Sequence, residues 1–416
     1  MRILVIGSGG REHALAWKLS QSPGVQVYAT PGNPGMARCG ECLPAGDGSP
    51  RTLLAVAESV NAELTVVGPE APLVAGVVDT FRAAGRAIVG PTSENARLEG
   101  SKIFAKDFFR QYRIPTAEFV SVESSDAARK ALDRFRFPVV IKADGLAAGK
   151  GVVIAEDRAQ AAHALETLGE RLVIEEFLEG EEVSFIALCD GRDILPFAPT
   201  QDHKRVNDGD TGPNTGGMGA YCDSRILTEA QTEKILDTIM RPTVEATGFT
   251  GFLYVGLIMT ADGPKVLEFN VRLGDPETQP LMYRMSNDLA PVLAAAARGQ
   301  LGRHSFAWKR GASVCIVLAS RGYPGSYRTG VSIRGIEDAE ATGVTVFHAG
   351  TRTGPGGLET AGGRVLGVTA EGQDLGSAIE KAYIGAQKIR FDGMHYRTDI
   401  GSKGLERYNP IVVPGT

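Results

Sequence analysis

LEFNVRLGDPE, residues 267–277, is the stretch on which the reading of this chain turns. Leu267, Phe269 and Val271 alternate with Glu268, Asn270 and Arg272. Successive side chains of a strand point to opposite faces, so the pattern predicts an apolar face backed by an acid, an amide and a cation. An edge strand with a wet face would look the same, and the neighbouring segments have to decide. Mg²⁺ takes oxygen ligands and usually binds one or two side chains plus substrate phosphates. Glu268 and Asn270 offer such a half-site, and Arg272 stands one step along to clamp an oxyanion with its planar fork. Gly274-Asp275-Pro276-Glu277 adds acids and a turn.

The first hundred residues alternate strand and helix: RILVIG, REHALAWKLSQS, VQVYAT, LLAVAESV, LTVVG, VVDTFRAAG, AIVG. That rhythm predicts an open parallel sheet with helices on both faces and ligands beyond the carboxyl ends of its strands. The loops there are GSGGRE (7–12), TPGNPG (30–35), GPEAPL (68–73) and GPTSENA (90–96). GSGGRE does not complete a dinucleotide fingerprint, because Glu12 stands where the third glycine belongs and no acid ends the second strand. A phosphate on the N-terminus of the following helix is still expected, since backbone N–H groups converge there.

Beyond residue 96 a smaller α+β region is expected, with FPVVIKADG and GKGVVIAE as strands around GLAAGKG (145–151). That loop lacks the spacing of a P-loop and leads into a strand, so it reads as a glycine-rich flap whose N–H groups cover phosphates. Gly149, Lys150 and Gly151 belong to it, and Lys142 on the preceding strand supplies a point charge. LVIEEF and GEEVSF carry acids at strand ends: Glu175 or Glu176 for an adenine amino group, Glu182 for ribose hydroxyls. Gln201 to Tyr221 shows neither helix nor strand periodicity. ILTEAQTEKILDTIMRPTVEAT reads as one helix, and GFLYVGLIMT with PKVLEFNV as a strand pair turning at Ala261-Asp262-Gly263. From about residue 325 the chain is strand- and glycine-rich and closes on a helix near DLGSAIEKAYIGAQKI.

Bulk composition narrows the function classes. With 416 residues, 43% apolar and 22% charged, the chain is an ordinary globular protein. A net charge of −5 with no basic block gives nucleic acid and anionic membranes no support. No apolar run reaches a membrane span and no signal-peptide pattern opens the chain, so a cytoplasmic protein is expected. The five cysteines, including Cys39 and Cys42 in CxxC spacing, lack the companion ligands of a zinc site and read as free thiols.

GSK (100–102), VVIKADGLAAGKGV (139–152), VIEEFLEGEEVS (173–184), DHKRVNDGDTGPNTGGMGAY (202–221) and LEFNVRLGDPETQP (267–280) resemble the ordered motifs of ATP-grasp enzymes. With GSGGREHALAW, TPGNPG, VVGPEAPLV, GYPG (322–325) and GGRVL (362–366), the chain is similar to the glycinamide ribonucleotide synthetase family over nearly its whole length. The resemblance implies an α/β protein. An N-terminal open parallel-sheet domain would span 1–100. An ATP-grasp region would span 101–325, with a small α+β lid (about 115–187) and a central part (188–325). A strand-rich α+β C-terminal domain would span 326–416.

The resemblance also implies ATP-dependent ligation of glycine to 5-phosphoribosylamine through glycyl phosphate, an early step of purine synthesis; another carboxylate–amine ligase is the alternative. Lys102, Lys142 and the flap glycines would meet ATP phosphates. Glu175 with the backbone of Glu176, Phe177 and Leu178 would hold adenine, and Glu182 the ribose. Glu268 and Asn270 would bind Mg²⁺ or Mn²⁺. Catalysis would fall to Arg272, Lys142, Asp202 and Asp275. His203, Lys204, Gly216 and Gly217 would line the glycine pocket with Asp202. Gly9, Gly10, Asn33, Pro34, Gly35 and Glu70 would bind phosphoribosylamine. Two departures stand out: a short connection, residues 167–171, before VIEEF, and no acid on GFLYVGLIMT, where many ATP-grasp enzymes carry a second metal ligand. A monomer or small homo-oligomer is expected.

Overall fold

The computed structural model describes residues 1–146 and 151–408. Its N-terminal sheet is parallel throughout, in the order Glu41–Cys42, Gln26–Pro31, Arg2–Gly7, Leu64–Val67, Ile88–Val89. Arg2–Gly7 lies at the centre, and its alternation feeds two cores: Leu4 and Ile6 join one hydrophobic cluster, Ile3 and Val5 another. Both faces are therefore covered, as a parallel sheet requires. The order reverses about Arg2–Gly7, which opens a crevice at its carboxyl end beside Gly7–Glu12 and Gly68. Glu41–Cys42, two residues long, is too short for its periodicity to announce it.

Among the described residues a nine-stranded sheet forms the body of the molecule. Glu181–Asp190 and Gly263–Asn270 flank Thr250–Thr260 on one side of it, and Arg364–Gly372 and Gly219–Cys222 flank Ala312–Ala319 on the other. The C-terminal strands thus continue the central sheet edge to edge. A separate four-stranded antiparallel sheet, in the order Phe119–Val122, Leu172–Glu176, Val139–Ala143, Val152–Ala155, carries helices Ser125–Ala131 and Arg158–Thr167 and has its own apolar core.

Four local readings change. The segment 201–221 is strand-rich: Thr200–Asp202 and Gly219–Cys222 join the large sheet, and Arg205–Asn207 pairs with Thr211–Asn214. Its order comes from afar, since the buried Arg397 guanidinium bonds Asp210 (2.8 Å), Asp399 (2.7 Å) and the Arg205 carbonyl (3.1 Å). The expected single helix is Glu229–Ile235 and Arg241–Thr247 joined by a π-turn over Leu236–Met240. Pro242 has no N–H to return to the preceding turn, and a wider turn accommodates that loss. A further helix, Ser402–Tyr408, follows the expected last one at Leu375–Ala386. Finally, Gly256 pairs with Glu268 while Leu257 pairs with Val266, so Leu267 is the extra residue of a β-bulge. Val266, Phe269 and Val271 keep the buried apolar face, and Leu267 turns to a cavity instead. No helix among the described residues is long and apolar enough to cross a membrane.

Candidate active site

Between the four-stranded sheet and the large sheet lies a cavity of about 630 Å³ that also reaches the N-terminal sheet and the C-terminal strands. Lys102 enters it from the first turn of helix Lys102–Tyr112, which Ser101 caps through the Phe104 N–H. Its Nζ donates to the Gly145 carbonyl at the flap base (2.8 Å). Asp144 secures that base by accepting from Ser101 Oγ (2.9 Å) and Ile103 N–H (3.2 Å). Lys142, on Val139–Ala143, ion-pairs with Glu175 (2.8 Å) and donates to the carbonyl that the bulge frees at Leu267 (3.0 Å). Glu175 also pairs with Lys106 (3.0 Å). Its carboxylate is thus engaged by two lysines.

Glu268 stands opposite, partly exposed, with no ion-pair partner within 4.0 Å among the described residues. Burial would raise its carboxyl, but Lys204, Lys142 and Lys102, with the Asn270 amide, hold it below the usual carboxylate range. Asn270 Nδ2 donates to Glu268 (3.3 Å), and Asn270 Oδ1 accepts from Arg272 (2.9 Å). The opposite amide orientation would set donor against donor, so Arg272 fixes it. An ionised, unpaired carboxylate facing a lysine-lined cavity suits a divalent ion shared with phosphate. Glu268 and Asn270 Oδ1 are the side-chain oxygens that would hold such an ion, and it would supply Lewis-acid neutralisation of phosphate charge. Arg272 is itself seated between Glu99 (2.7 Å) and Glu70 (3.3 Å), which keep it charged despite burial.

Deeper along the strands, Lys204 bridges Glu182 and Asp202, each at 3.1 Å. Burial opposes its charge, but the two acids hold its proton well above the ordinary lysine range. Glu277 is 3% exposed and lines the cavity, accepting from Tyr254 OH (2.9 Å) and Ser184 Oγ (3.2 Å). Burial and the neighbouring Asp202 push its carboxyl up to about 7. Asp275 behaves oppositely. Burial works against its charge, but Arg364 and Arg11, with the Gln279 amide, hold it below the carboxylate range. Arg364 reaches Asp275 Oδ2 (3.2 Å) and the Gly216 carbonyl (2.7 Å), tying two loops together.

The cavity therefore gathers Glu70, Lys102, Lys142, Gly151, Glu175, Glu176, Phe177, Leu178, Glu182, Asp202, Lys204, Gly216, Glu268, Asn270, Arg272 and Asp275. Gly149 and Lys150 lie outside the described residues. His203 does not line the cavity: its Nε2 accepts from Gly401 N–H (3.2 Å), and burial lowers its ring to about 4. It lies just past strand Thr200–Asp202, with its ring facing Gly401 and Tyr221. Gly217 is not a wall residue either; a Cβ there would fall 2.5 Å from Pro276 Cδ. Gly9 and Gly10 lie against the wall residue Asp275, at the crevice of the parallel sheet, and Asn33, Pro34 and Gly35 follow the neighbouring strand Gln26–Pro31. Asn33 braces that crevice, donating to the carbonyls of Ser8 (2.8 Å) and His348 (2.9 Å). The expected phosphate at the helix N-terminus meets an obstacle: the buried Glu12 carboxylate already takes the Gly9 N–H (2.6 Å).

Sequence reasoning passed over Arg11, Glu99, Lys106, Tyr254, Glu277, Tyr323 and Arg364, all wall residues. Some had a signal. Tyr323 sits in GYPG and Arg364 in GGRVL, and Lys106 shares a helix face with Lys102 at i, i+4. Tyr254 sits in an unbroken apolar run and had none.

A small antiparallel lid facing a larger antiparallel sheet across a lysine- and carboxylate-lined cleft defines an ATP-grasp protein. The chain matches the descriptions "Phosphoribosylglycinamide synthetase, N domain" over residues 1–99, "ATP-grasp (A) domain" over 100–278 and "C domain" over 313–403. It is 49% identical to the phosphoribosylamine–glycine ligases of Pseudomonas aeruginosa and Escherichia coli K12, covering 98% of this chain and 99% of each relative. The crystal structure of the phosphoribosylamine–glycine ligase of Thermotoga maritima superposes with a TM-score of 0.85 at 36% identity, over 96% of this chain and all of that one. The chain belongs to the phosphoribosylglycinamide synthetase family.

Proposed function

We propose that this chain joins glycine to 5-phosphoribosylamine at the expense of ATP, giving glycinamide ribonucleotide, ADP and phosphate. The observation that carries the reading is the meeting of Lys102, Lys142, Glu268 and Arg272 with Asp275 and Glu70 in one cavity that reaches the crevice of the parallel sheet. A carboxylate is a poor electrophile. Transfer of the terminal phosphoryl group to glycine gives glycyl phosphate, whose carbonyl the amine attacks as phosphate leaves.

Crowded anions are the main barrier to the first step, so fixed positive charge is the main contribution. Lys102 and Lys142 donate to the phosphates, and Arg272 clamps the transferring group. Glu268 and Asn270 would hold Mg²⁺ or Mn²⁺, which supplies Lewis-acid neutralisation of phosphate oxygens. The backbone of Glu176, Phe177 and Leu178 would seat adenine, and Glu182 the ribose. Asp202, Lys204 and Gly216 would face glycine. Asp275 stays ionised and orients an amine by accepting its N–H. Gly9, Gly10, Asn33, Pro34, Gly35 and Glu70 would receive phosphoribosylamine. The lid excludes water from the acyl phosphate. A cytoplasmic setting and a monomeric or small homo-oligomeric state complete the proposal, testable by fractionation and sedimentation.

Release of ADP is the test, with glycine and phosphoribosylamine omitted in turn and hydroxylamine present to trap glycyl phosphate as its hydroxamate. Hydroxamate that needs ATP and glycine, and amide that needs phosphoribosylamine, are expected. Equal turnover with other amino acids would refute the glycine assignment.

A further inference from the structure

We propose that Lys106 is a positioning residue for the nucleotide: it holds the Glu175 carboxylate so that Lys142 is free to engage incoming phosphates. The inference rests on Lys142 being a phosphate ligand, as read above.

Three charged side chains are buried together here. Those of Lys106, Glu175 and Lys142 are 3%, 2% and 10% exposed. Glu175 lies 3.0 Å from one ammonium and 2.8 Å from the other, so the cluster carries one positive charge more than it cancels. A lone Lys142–Glu175 pair would be neutral, and its carboxylate would compete with phosphate for Lys142. An unpaired carboxylate left behind at this depth would also be costly. Lys106 removes both difficulties, because Glu175 keeps a partner when Lys142 turns away.

The two lysines are not equivalent. Lys106 Nζ also donates to Thr116 Oγ1 (2.7 Å), whose hydroxyl donates to the Val266 carbonyl (2.7 Å). That chain ties Lys106 to the strand bearing Glu268. Lys142 has Glu175 and the bulge carbonyl of Leu267, and it is the more exposed of the two. Burial draws the Lys106 ammonium down to about 8, against the pull of Glu175, which leaves it charged at neutral pH.

The test is equilibrium binding of MgATP by calorimetry, in the absence of glycine, to the wild-type chain, Lys106→Met and Lys106→Met/Glu175→Gln. Loss of one unit charge at protein-like permittivity is expected to weaken binding in the single variant by on the order of tenfold or more. The double variant is expected to recover most of that loss, because Lys142 is no longer held. Steady-state kinetics should show a raised KM for ATP and little change in kcat. Lys106→Gln keeps a donor for Thr116 without the charge and replaces Lys106→Met if that variant melts early. Unchanged binding in the single variant overturns the proposal. So does a double variant no better than the single one, the result of a lysine that touches phosphate itself or merely braces the fold. A wild-type chain that fails to bind MgATP overturns instead the nucleotide reading beneath it.

Discussion

Glu268 faces three ammonium groups and pairs with none of the described ones, which makes it the carboxylate most available to a divalent ion. Its side chain is partly exposed at a cavity wall, so truncation leaves little buried void. Glu268→Ala is therefore expected to lower kcat by on the order of a hundredfold or more, the effect of removing a principal electrostatic stabiliser. Its melting temperature should stay near wild type. Near-normal turnover at limiting Mg²⁺ would remove Glu268 from the reaction. Glu277 makes the opposite case, being a buried acid that accepts from the Tyr254 and Ser184 hydroxyls. Its folded-state value, about 7, lies above the ordinary 4.5. Between those values the folded chain keeps a proton that the unfolded chain has released, so stability falls as pH rises across that window and levels off above it. Glu277→Gln removes the penalty. Melting curves from pH 4.5 to 8 should show the variant gaining on wild type up to about pH 7, while parallel curves would mean that Glu277 is ionised and paired.

At the scale of elements, close approaches shape the site. Gly217 has φ +116°, and its Cα sits against the Asp275-Pro276 turn, while Arg364 clamps the adjoining Gly216 carbonyl to the same turn. A methyl at Gly217 is strained by its backbone angle and collides with Pro276. Gly217→Ala is expected to cost about 1–3 kcal/mol of stability and to raise KM for the amine substrate, as denaturant melts and steady-state assays would report. The same region shows what a sequence can reveal. The placement of Glu268, Asn270 and Arg272 on one cavity wall was legible because strand alternation is local. The bulge at Leu267 was not, because a single extra residue alters register without altering composition. Nor was the order within 201–221, whose organising cation, Arg397, lies far along the chain. His203 was grouped with Asp202 and Lys204 because the three are adjacent in the chain, yet its ring turns to Gly401 and not to the cavity.

Across the whole molecule, the continuity of the large sheet is the feature that sequence motifs conceal. Ala312–Ala319 is buried along its length and hydrogen-bonds to Gly219–Cys222 on one side and Arg364–Gly372 on the other. Ser313 Oγ donates to the Pro280 carbonyl (2.7 Å), fixing helix Thr278–Arg284. That helix packs in turn against Gly10–Ser20 of the N-terminal domain. The C-terminal strands therefore complete a core that the N-terminal and ATP-grasp parts share, and they deliver Tyr323 and Arg364 to the cavity. A chain ending at residue 311 would expose the edge of Gly219–Cys222 together with Tyr221 and Ala220, both fully buried in the intact protein. Unpaired backbone beside a bare apolar face invites association with other chains. The truncated protein is expected to be insoluble, or to melt without a cooperative transition. A soluble monomer of residues 1–311 with a sharp melt would show that the C-terminal strands are an appendage, and that Arg364 is then the main loss to be explained at the active site.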